Sequence, residues 1–248
     1  MPRDHGGAYT DRPDDLVVGV LGGMGPLATV DFFHLLVRLT PADKDWNHLH
    51  IVVDNAPRMP SRTRAFLFGE PSPAPYLLAS ARRLEALGAA LIVVPCNSAA
   101  YYLGPVREGV RAPVLDPVIA TAEAVRTDPR APRRPLVLGG MVTHRAELYG
   151  QALAGDGVVP VRPTDPEQEE VAALIEALKR GDTGPAIVAR TEAIVRTGMA
   201  RGADSVILGC TEFGLIADAL AASAPVFNSN ELLARRTLTL ARRDTSSC

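Results

Sequence analysis

The chain of 248 residues has few cysteines, few lysines and almost no net charge. Its three cysteines form no C-x-x-C pair, which argues against a disulfide framework and indicates a reducing compartment. A formal charge of −2 at pH 7 leaves no bulk basic field that would attract nucleic acid. Lys44 and Lys179 are the only lysines, so chemistry that needs a Schiff base has two candidate residues.

Long apolar segments are also missing. No apolar run reaches the ~18 residues needed to span a bilayer, and the first five residues lack the apolar core of a signal peptide. We therefore predict a cytoplasmic protein with no membrane partner and no nucleic-acid partner. Residues 1–14 are polar and are predicted to be a disordered tail.

The sequence does contain an internal duplication. Three blocks occur twice in the same order, at offsets of 117, 114 and 112 residues: 20–24 and 137–141, Cys96 and Cys210, 112–116 and 224–228. A chain built of two similar halves tends to have a pseudo-twofold axis. Equivalent strand ends then face each other across a cleft.

Strand and helix signals alternate along both halves. Buried strands are predicted at 16–21, 50–54, 90–94, 136–138, 158–161 and 205–208, and helices at 75–87, 166–179 and 185–199. This alternation is typical of parallel sheets with right-handed crossovers. We therefore predict an α/β fold of two similar flavodoxin-like lobes, related by a pseudo-twofold axis, with the active site in the cleft between them.

Cys96 and Cys210 each end a predicted strand and precede a predicted helix, at the edge where parallel sheets bind ligands. Free N–H groups and the helix dipole are expected to stabilise a thiolate there. A thiolate on one side of a carbon acid removes a proton and a thiol on the other side returns one, which inverts a stereocentre. A single buried cysteine usually only packs, but two at equivalent places favour this catalytic role. Cys248 lies outside the repeat and is predicted to be inert.

Over about residues 16–240 the chain resembles the aspartate/glutamate racemases that need no cofactor. The resemblance rests on five segments: 22–26, Asn55 with 60–63, 95–99, 165–168 with 179–181, and 209–212. It implies that Cys96 and Cys210 are the catalytic pair and that aspartate or glutamate, or another small dicarboxylate, is the substrate. It also implies a homodimer and no cofactor. No metal is predicted either, because His48 and His50 share a face of a predicted strand without a carboxylate or further histidine clearly placed beside them.

The resemblance further implies that Arg62 and Lys179 bind carboxylates, Arg62 through its bidentate fork. Other residues are predicted to shape the site or to contact the substrate: Met24, Asn55, Asn97, Ser98, Thr143, Thr211 and Glu212. Glu212 is the candidate partner for the substrate ammonium or for Cys210. The chain departs from the family pattern at Ala100, Met141 and Asn228, which leaves the identity of the acid open.

The domain limits also depend on the resemblance. The repeat alone assigns Val114–Leu115 to the first lobe and residues 226–227 to the second. The family exchanges these segments, so we predict a first lobe of residues 15–112 plus 224–248 and a second lobe of residues 113–223.

Three other functions stay open. The glycines of Gly23-x-Gly25 follow a predicted strand and Asp54 ends the next one, as in an NAD(P)-dependent oxidoreductase. Pro26 argues against this function because it lacks an N–H that a pyrophosphate would bind. The second is a related two-cysteine isomerase or decarboxylase acting on another dicarboxylate. The third is a dicarboxylate-binding protein without turnover.

Overall fold

The computed structural model describes residues 16–243, with the side chains of residues 242 and 243 excepted. The predicted tail, residues 1–14, and Cys248 lie outside the described residues. The strands are β1 (Val17–Gly22), β2 (Ile51–Asn55), β3 (Ala89–Val93), β4 (Val114–Leu115), β5 (Pro135–Val137), β6 (Ser205–Leu208) and β7 (Val226–Asn228). Among these residues, no helix is both long enough and apolar enough to cross a membrane.

The helices alternate with the strands, as predicted. The α-helices are α1 (Pro26–Leu39), α2 (Arg62–Phe68), α3 (Ala74–Ala86), α4 (Gly104–Gly109), α5 (Pro117–Thr127), α6 (Met141–Arg145), α7 (Leu148–Ala152), α8 (Asp165–Lys179), α9 (Pro185–Ala200), α10 (Ala217–Leu220) and α11 (Ser229–Arg243). Short 3-10 helices span Asp45–Asn47, Ser98–Tyr102 and Thr211–Ile216.

The first sheet is parallel and has the strand order β2-β1-β3-β4. Its helices cover both faces, which is why β1 is a continuous apolar run in the sequence. Leu77 and Leu84 of α3 pack on one face. Phe32 and Leu36 of α1 pack on the other, together with Leu233 of α11. This sheet with its helices is called the first lobe below.

The second sheet is also parallel and has the order β5-β6-β7. Leu174 of α8 and Ile194 of α9 pack on one face, and Val118 of α5 with Tyr149 of α7 packs on the other. This sheet with its helices is called the second lobe. Its strands repeat the order β1-β3-β4 of the first sheet, as the duplication predicts.

No strand is formed at the predicted 158–161. The segment runs beside β5, where the Val159 N–H donates to the Arg133 carbonyl and the Val161 N–H to the Pro135 carbonyl, each at 2.8 Å, but it makes only one isolated parallel bridge, between Val161 and Leu136.

The chain does pass between the lobes twice, but later than predicted. β4 pairs with β3 through Ile92 and Val114, and β7 pairs with β6 through Val206 and Val226. For these two short strands the predicted exchange is corrected, because each stays in the sheet of its own half. The helices that follow do exchange, since α5 packs in the second lobe and α11 in the first. The domain limits as a whole stay a prediction.

Candidate active site

A cavity of about 200 Å³ lies between the lobes, beyond the carboxyl ends of β1, β3 and β6. This volume is below the ~300–1,000 Å³ typical of sites for drug-sized ligands, so it suits a small metabolite. Nine of the predicted site residues line it: Met24, Arg62, Cys96, Asn97, Ser98, Lys179, Cys210, Thr211 and Glu212.

Two free thiols border this cavity, one from each lobe. Cys96 follows β3 and is buried, and Cys210 follows β6 and is half-buried. Each cysteine precedes a 3-10 helix, Ser98–Tyr102 after Cys96 and Thr211–Ile216 after Cys210. The repeat therefore places the two thiols at equivalent strand ends, as predicted.

Burial raises the pKa of both thiols, although thiolate stabilisation was expected. For Cys96 the desolvation is opposed by the charge of Arg62 and by the Ala99 N–H, and its pKa is raised from the ordinary value. The pKa of Cys210 lies well above its ordinary value because of burial and the nearby Glu212 carboxylate. The 3-10 helices that follow the cysteines have only five and six residues, so they align few peptide dipoles against this desolvation.

Glu212 contacts Cys210 directly. The Cys210 thiol donates a hydrogen bond to Glu212 Oε2 at 2.9 Å. Glu212 is only 2% exposed, and its other oxygen, Oε1, is buried without a partner in the part of the chain described. A buried carboxylate oxygen without a donor is costly, and Glu212 lines the cavity, so Oε1 is a candidate acceptor for a ligand there.

Arg62 and Lys179 supply positive charge from opposite lobes. Arg62 opens α2, and its Nε is buried without a hydrogen-bond partner within residues 16–243. Lys179 ends α8, where its Nζ lies 2.8 Å from Glu176 Oε1. Burial lowers the pKa of Lys179, but Glu176 and Glu212 together outweigh it and the pKa is raised. The lysine therefore stays charged.

Asn97 and Thr211, the residues after the two cysteines, use their side chains within the protein. Asn97 Nδ2 donates to Ser229 Oγ at 3.0 Å, and Asn97 Oδ1 accepts from the Tyr149 hydroxyl at 2.6 Å. Thr211 Oγ1 donates to the Pro95 carbonyl at 3.3 Å. The cysteine segments of the two lobes are thus tied to each other.

The structure places two predicted site residues elsewhere. Asn55 ends β2, the edge strand of the first sheet, and borders a separate open cavity with Tyr76 and Arg83. Thr143 lies behind the second cysteine, where its hydroxyl donates to the Gly209 carbonyl at 3.4 Å. This contact ties α6 to the residue that follows β6, so Thr143 has a structural role there.

Several cavity residues were missed from the sequence. Ala172, Ile175 and Glu176 line the cavity beside Lys179. They follow helical spacing on α8, so the face that carries Lys179 was a signal that could have found them. Ser61 and Thr63 flank Arg62 at the start of α2 and also line the cavity.

Metal-binding groups are absent from the described ranges. Within residues 16–243, no group of three or more His, Cys, Asp or Glu side chains could hold a metal ion.

Two parallel α/β lobes enclose a small cavity with a thiol from each lobe, the arrangement that the resemblance to the racemases predicted. Residues 21–237 match the model of the Asp/Glu/Hydantoin racemase family, and the chain belongs to that family. The predicted type of enzyme, an isomerase of the PLP-independent amino-acid racemases, is thereby confirmed.

Relatives agree with this placement. The chain is similar to the broad-specificity amino-acid racemase RacX of Bacillus subtilis, with 27% identity over 229 residues, 90% of this chain and 96% of that protein. It is also similar to the aspartate racemase of Picrophilus torridus, with a TM-score of 0.82 and 28% identity, covering 92% of this chain and 94% of that one. The fold alone is shared with the glutamate racemase of Francisella tularensis in complex with D-glutamate, with a TM-score of 0.66 and 16% identity, covering 94% of this chain and 83% of that one.

Proposed function

We propose that the chain inverts the α-carbon of aspartate or glutamate, with Cys96 and Cys210 as the acid/base pair. One observation carries the proposal. Both thiols border the same small cavity as two oppositely charged side chains, the half-buried Arg62 and the buried Glu212, each with a buried polar atom that has no partner among the described residues. A zwitterionic amino acid offers one carboxylate and one ammonium, which complement this pair.

An acidic side chain has a further partner in Lys179. Its ammonium carries three donors, and only the contact with Glu176 engages one of them among the described residues. The remaining donors suit the side-chain carboxylate of aspartate or glutamate. Arg62 then holds the α-carboxylate, onto which negative charge moves when the α-proton leaves.

The proton transfers balance without a cofactor. Cys96 starts as the thiolate, because the charge of Arg62 makes it the more readily ionised thiol and its proton passes to solvent. This thiolate takes the α-proton, and the thiol of Cys210 delivers its own proton to the opposite face, while Glu212 stays a carboxylate. The product leaves with inverted configuration, Cys96 protonated and Cys210 as the thiolate. The other enantiomer runs the same steps in reverse, and after a single turnover a proton passes from Cys96 to Cys210 through solvent to restore the starting state.

Exchange of the α-hydrogen with solvent tests the proposal. In D₂O, L- and D-aspartate and L- and D-glutamate should gain α-deuterium and appear as both enantiomers by chiral chromatography. Cys96→Ala and Cys210→Ala should each abolish inversion, whereas Cys248→Ala, the matched control, should leave it intact. Inversion retained in both cavity variants would refute the two-thiol mechanism.

A second candidate keeps the thiol pair and changes the substrate. Met141 lines the cavity at a turn that is rich in threonine in the resembling family, and its thioether offers no hydroxyl to an acid. This favours a related isomerase or decarboxylase acting on another small dicarboxylate. Maleate and substituted malonates in the same panel separate the two candidates.

A dinucleotide site is disfavoured by charge. A Cβ at Gly25 would lie 3.0 Å from Glu212 Oε1, so the glycine turn faces a carboxylate. A pyrophosphate bound there would meet like charge. Absence of NAD(P) binding by calorimetry is the expected result.

We also propose a cytoplasmic homodimer, which rests on the family. The outer face of α1 supports a dimer, since it exposes four apolar side chains: Leu27, Val30, Phe33 and Val37. Light scattering after size exclusion gives the mass directly.

A further inference from the structure

We infer that Tyr149 is a positioning residue that acts through Asn97 to fix the separation of the Cys96 and Cys210 segments. The inference rests on the proposed function. Tyr149 lies on α7 and borders a different cavity, with His144 and Arg162. It therefore acts on the thiols only through the residues between them.

Three side chains form a continuous buried relay behind the thiols. The Tyr149 hydroxyl donates to Asn97 Oδ1 at 2.6 Å, Asn97 Nδ2 donates to Ser229 Oγ at 3.0 Å, and Ser229 Oγ donates to the Leu208 carbonyl at 2.6 Å. The relay starts in the second lobe, passes through the residue after Cys96, and ends two residues before Cys210. It thus joins the two cysteine segments end to end.

The relay is shielded from bulk solvent. Tyr149 and Asn97 are 2% exposed and Ser229 is fully buried. The Tyr149 hydroxyl also sets the orientation of the amide, because Oδ1 must face the donor and Nδ2 must face Ser229. Without it, the amide can turn, and its hydrogen bond to Ser229 then loses its geometry.

The relay also lies where the chain passes between the lobes. Ser229 is the first residue of α11, directly after β7 of the second sheet, and α11 packs on the first lobe. The hydrogen bond from Thr211 to the Pro95 carbonyl gives a second tie between the same segments. The relay is therefore placed to fix the gap in which the α-carbon must fit between the two sulfurs.

Proton transfer on both faces of one carbon depends steeply on that gap. A misplacement of about 1 Å costs on the order of a hundredfold in rate. Tyr149→Phe keeps the buried ring and removes only the hydroxyl. We expect kcat for aspartate or glutamate to fall on the order of tenfold to a hundredfold in both directions, with KM changed by less than about threefold because Tyr149 does not touch the substrate.

The readout that separates positioning from stability is a double-variant comparison. Ser229→Ala should lower kcat similarly, and the double variant should lose little more than either single one, because both break the same relay. Ser229→Thr should retain activity since it keeps the hydroxyl. Thr191→Val, which removes a buried hydroxyl on α9, is the matched control and should change kcat by less than about twofold.

Three outcomes would overturn the inference. The first is an unchanged kcat in Tyr149→Phe. The second is a double variant whose loss of kcat equals the product of the losses in Tyr149→Phe and Ser229→Ala. The third is a loss of kcat in Tyr149→Phe that Thr191→Val matches and that disappears when the assay temperature is lowered. Failure of the unaltered chain to racemise any substrate would instead remove the proposed function, and this inference with it. Racemisation by the unaltered chain with an unaffected Tyr149→Phe removes the inference alone.

Discussion

At the scale of single residues, opposite charges face the two thiols. Arg62 lowers the pKa of Cys96 against the effect of burial, whereas Glu212 adds to burial in raising that of Cys210. Cys96 is therefore the thiol that ionises more readily before substrate binds. A substrate bound as proposed, with its charges at Arg62 and Glu212, would alter this asymmetry.

Replacing Glu212 tests how strongly it acts on Cys210. Glu212→Gln removes a negative charge next to the thiol, so the pKa of Cys210 should fall and its thiolate should form at lower pH. Alkylation by iodoacetamide at a fixed pH of about 9, read at each cysteine by mass spectrometry, should be faster at Cys210 in the variant than in the unaltered chain. Cys96 should also react faster, but by a smaller factor. An alkylation rate at Cys210 that stays or falls would contradict the assigned contact.

The duplication in the sequence predicted that the two thiols lie at one site, whereas local sequence pattern predicted few of the residues around them. Cys96 and Cys210 stand at matched places in the sequence, so their meeting at one cavity could be expected. The partners that set their chemistry, Arg62 and Glu212, came only through family resemblance or adjacency, and the place of Glu212 in the first copy is held by Ser98. Tyr149 was missed because its link to Asn97 spans 52 residues, a distance at which periodicity carries no signal.

At the scale of elements, β1 packs so closely against β3 and α3 that there is no room for one additional methyl group at Gly19. A Cβ at Gly19 would lie 2.8 Å from the Cβ of Ala89 and 3.1 Å from that of Leu84. Both atoms are fixed to the backbones of β3 and α3, so neither can turn away. Gly19→Ala should therefore lower the free energy of unfolding by about 1–3 kcal/mol.

The matched control is Gly104→Ala at the start of α4. A Cβ there meets nothing within 4 Å, so the change should be neutral or stabilise by a few tenths to about 1 kcal/mol. Urea unfolding of both variants gives the comparison. Equal free energies of unfolding for Gly19→Ala and Gly104→Ala would show that the close contacts of Gly19 do not restrict side-chain size at that position.

The first turn of α8 is held by Glu167, and this helix carries Lys179 to the cavity. Glu167 accepts a hydrogen bond from the Thr164 N–H at 2.7 Å. It also accepts from the two terminal guanidinium nitrogens of Arg201, Nη1 and Nη2, each at 2.7 Å. These contacts lower its pKa to about 2 from the ordinary 4.5, with the Arg201 hydrogen bonds as the largest cause. A depressed carboxylate pKa means stability that is present above the unfolded value and is lost as pH falls.

Glu167→Gln should lower the free energy of unfolding near neutral pH by about 1–2 kcal/mol. The difference from the unaltered chain should shrink as pH falls from about 4.5 towards about 2, because the carboxylate becomes protonated there. Urea unfolding at a series of pH values measures it. Glu169→Gln, an exposed glutamate on the same helix, should show no such pH-dependent difference, and a pH-independent effect of Glu167→Gln would refute the charge argument.

At the scale of the whole molecule, the order of strands was predictable but the exchange between lobes was not. The repeat matches β1, β3 and β4 with β5, β6 and β7, which fixes two similar sheets. Which sheet a following helix covers depends on the face that is free after all strands have paired. The apolar side chains of α5 and α11 alone suit either lobe, so the exchange of helices between the lobes was predicted only from the family resemblance. The predicted crossing points came one short strand too early in each half, before β4 and before β7.

A ligand in the cleft should stabilise the whole molecule, because Arg62 and Cys96 come from one lobe and Lys179 and Glu212 from the other. At 100 times its Kd, a ligand that binds only the folded state adds about 2.7 kcal/mol, or about 5–10 °C in Tm for a chain of this size. Differential scanning fluorimetry with aspartate should show this shift in the unaltered chain and little in Arg62→Gln. Arg58→Gln, at the neighbouring open cavity, should keep it. If Arg58→Gln loses the shift and Arg62→Gln retains it, the acid binds beside β2, and the two thiols do not contact it.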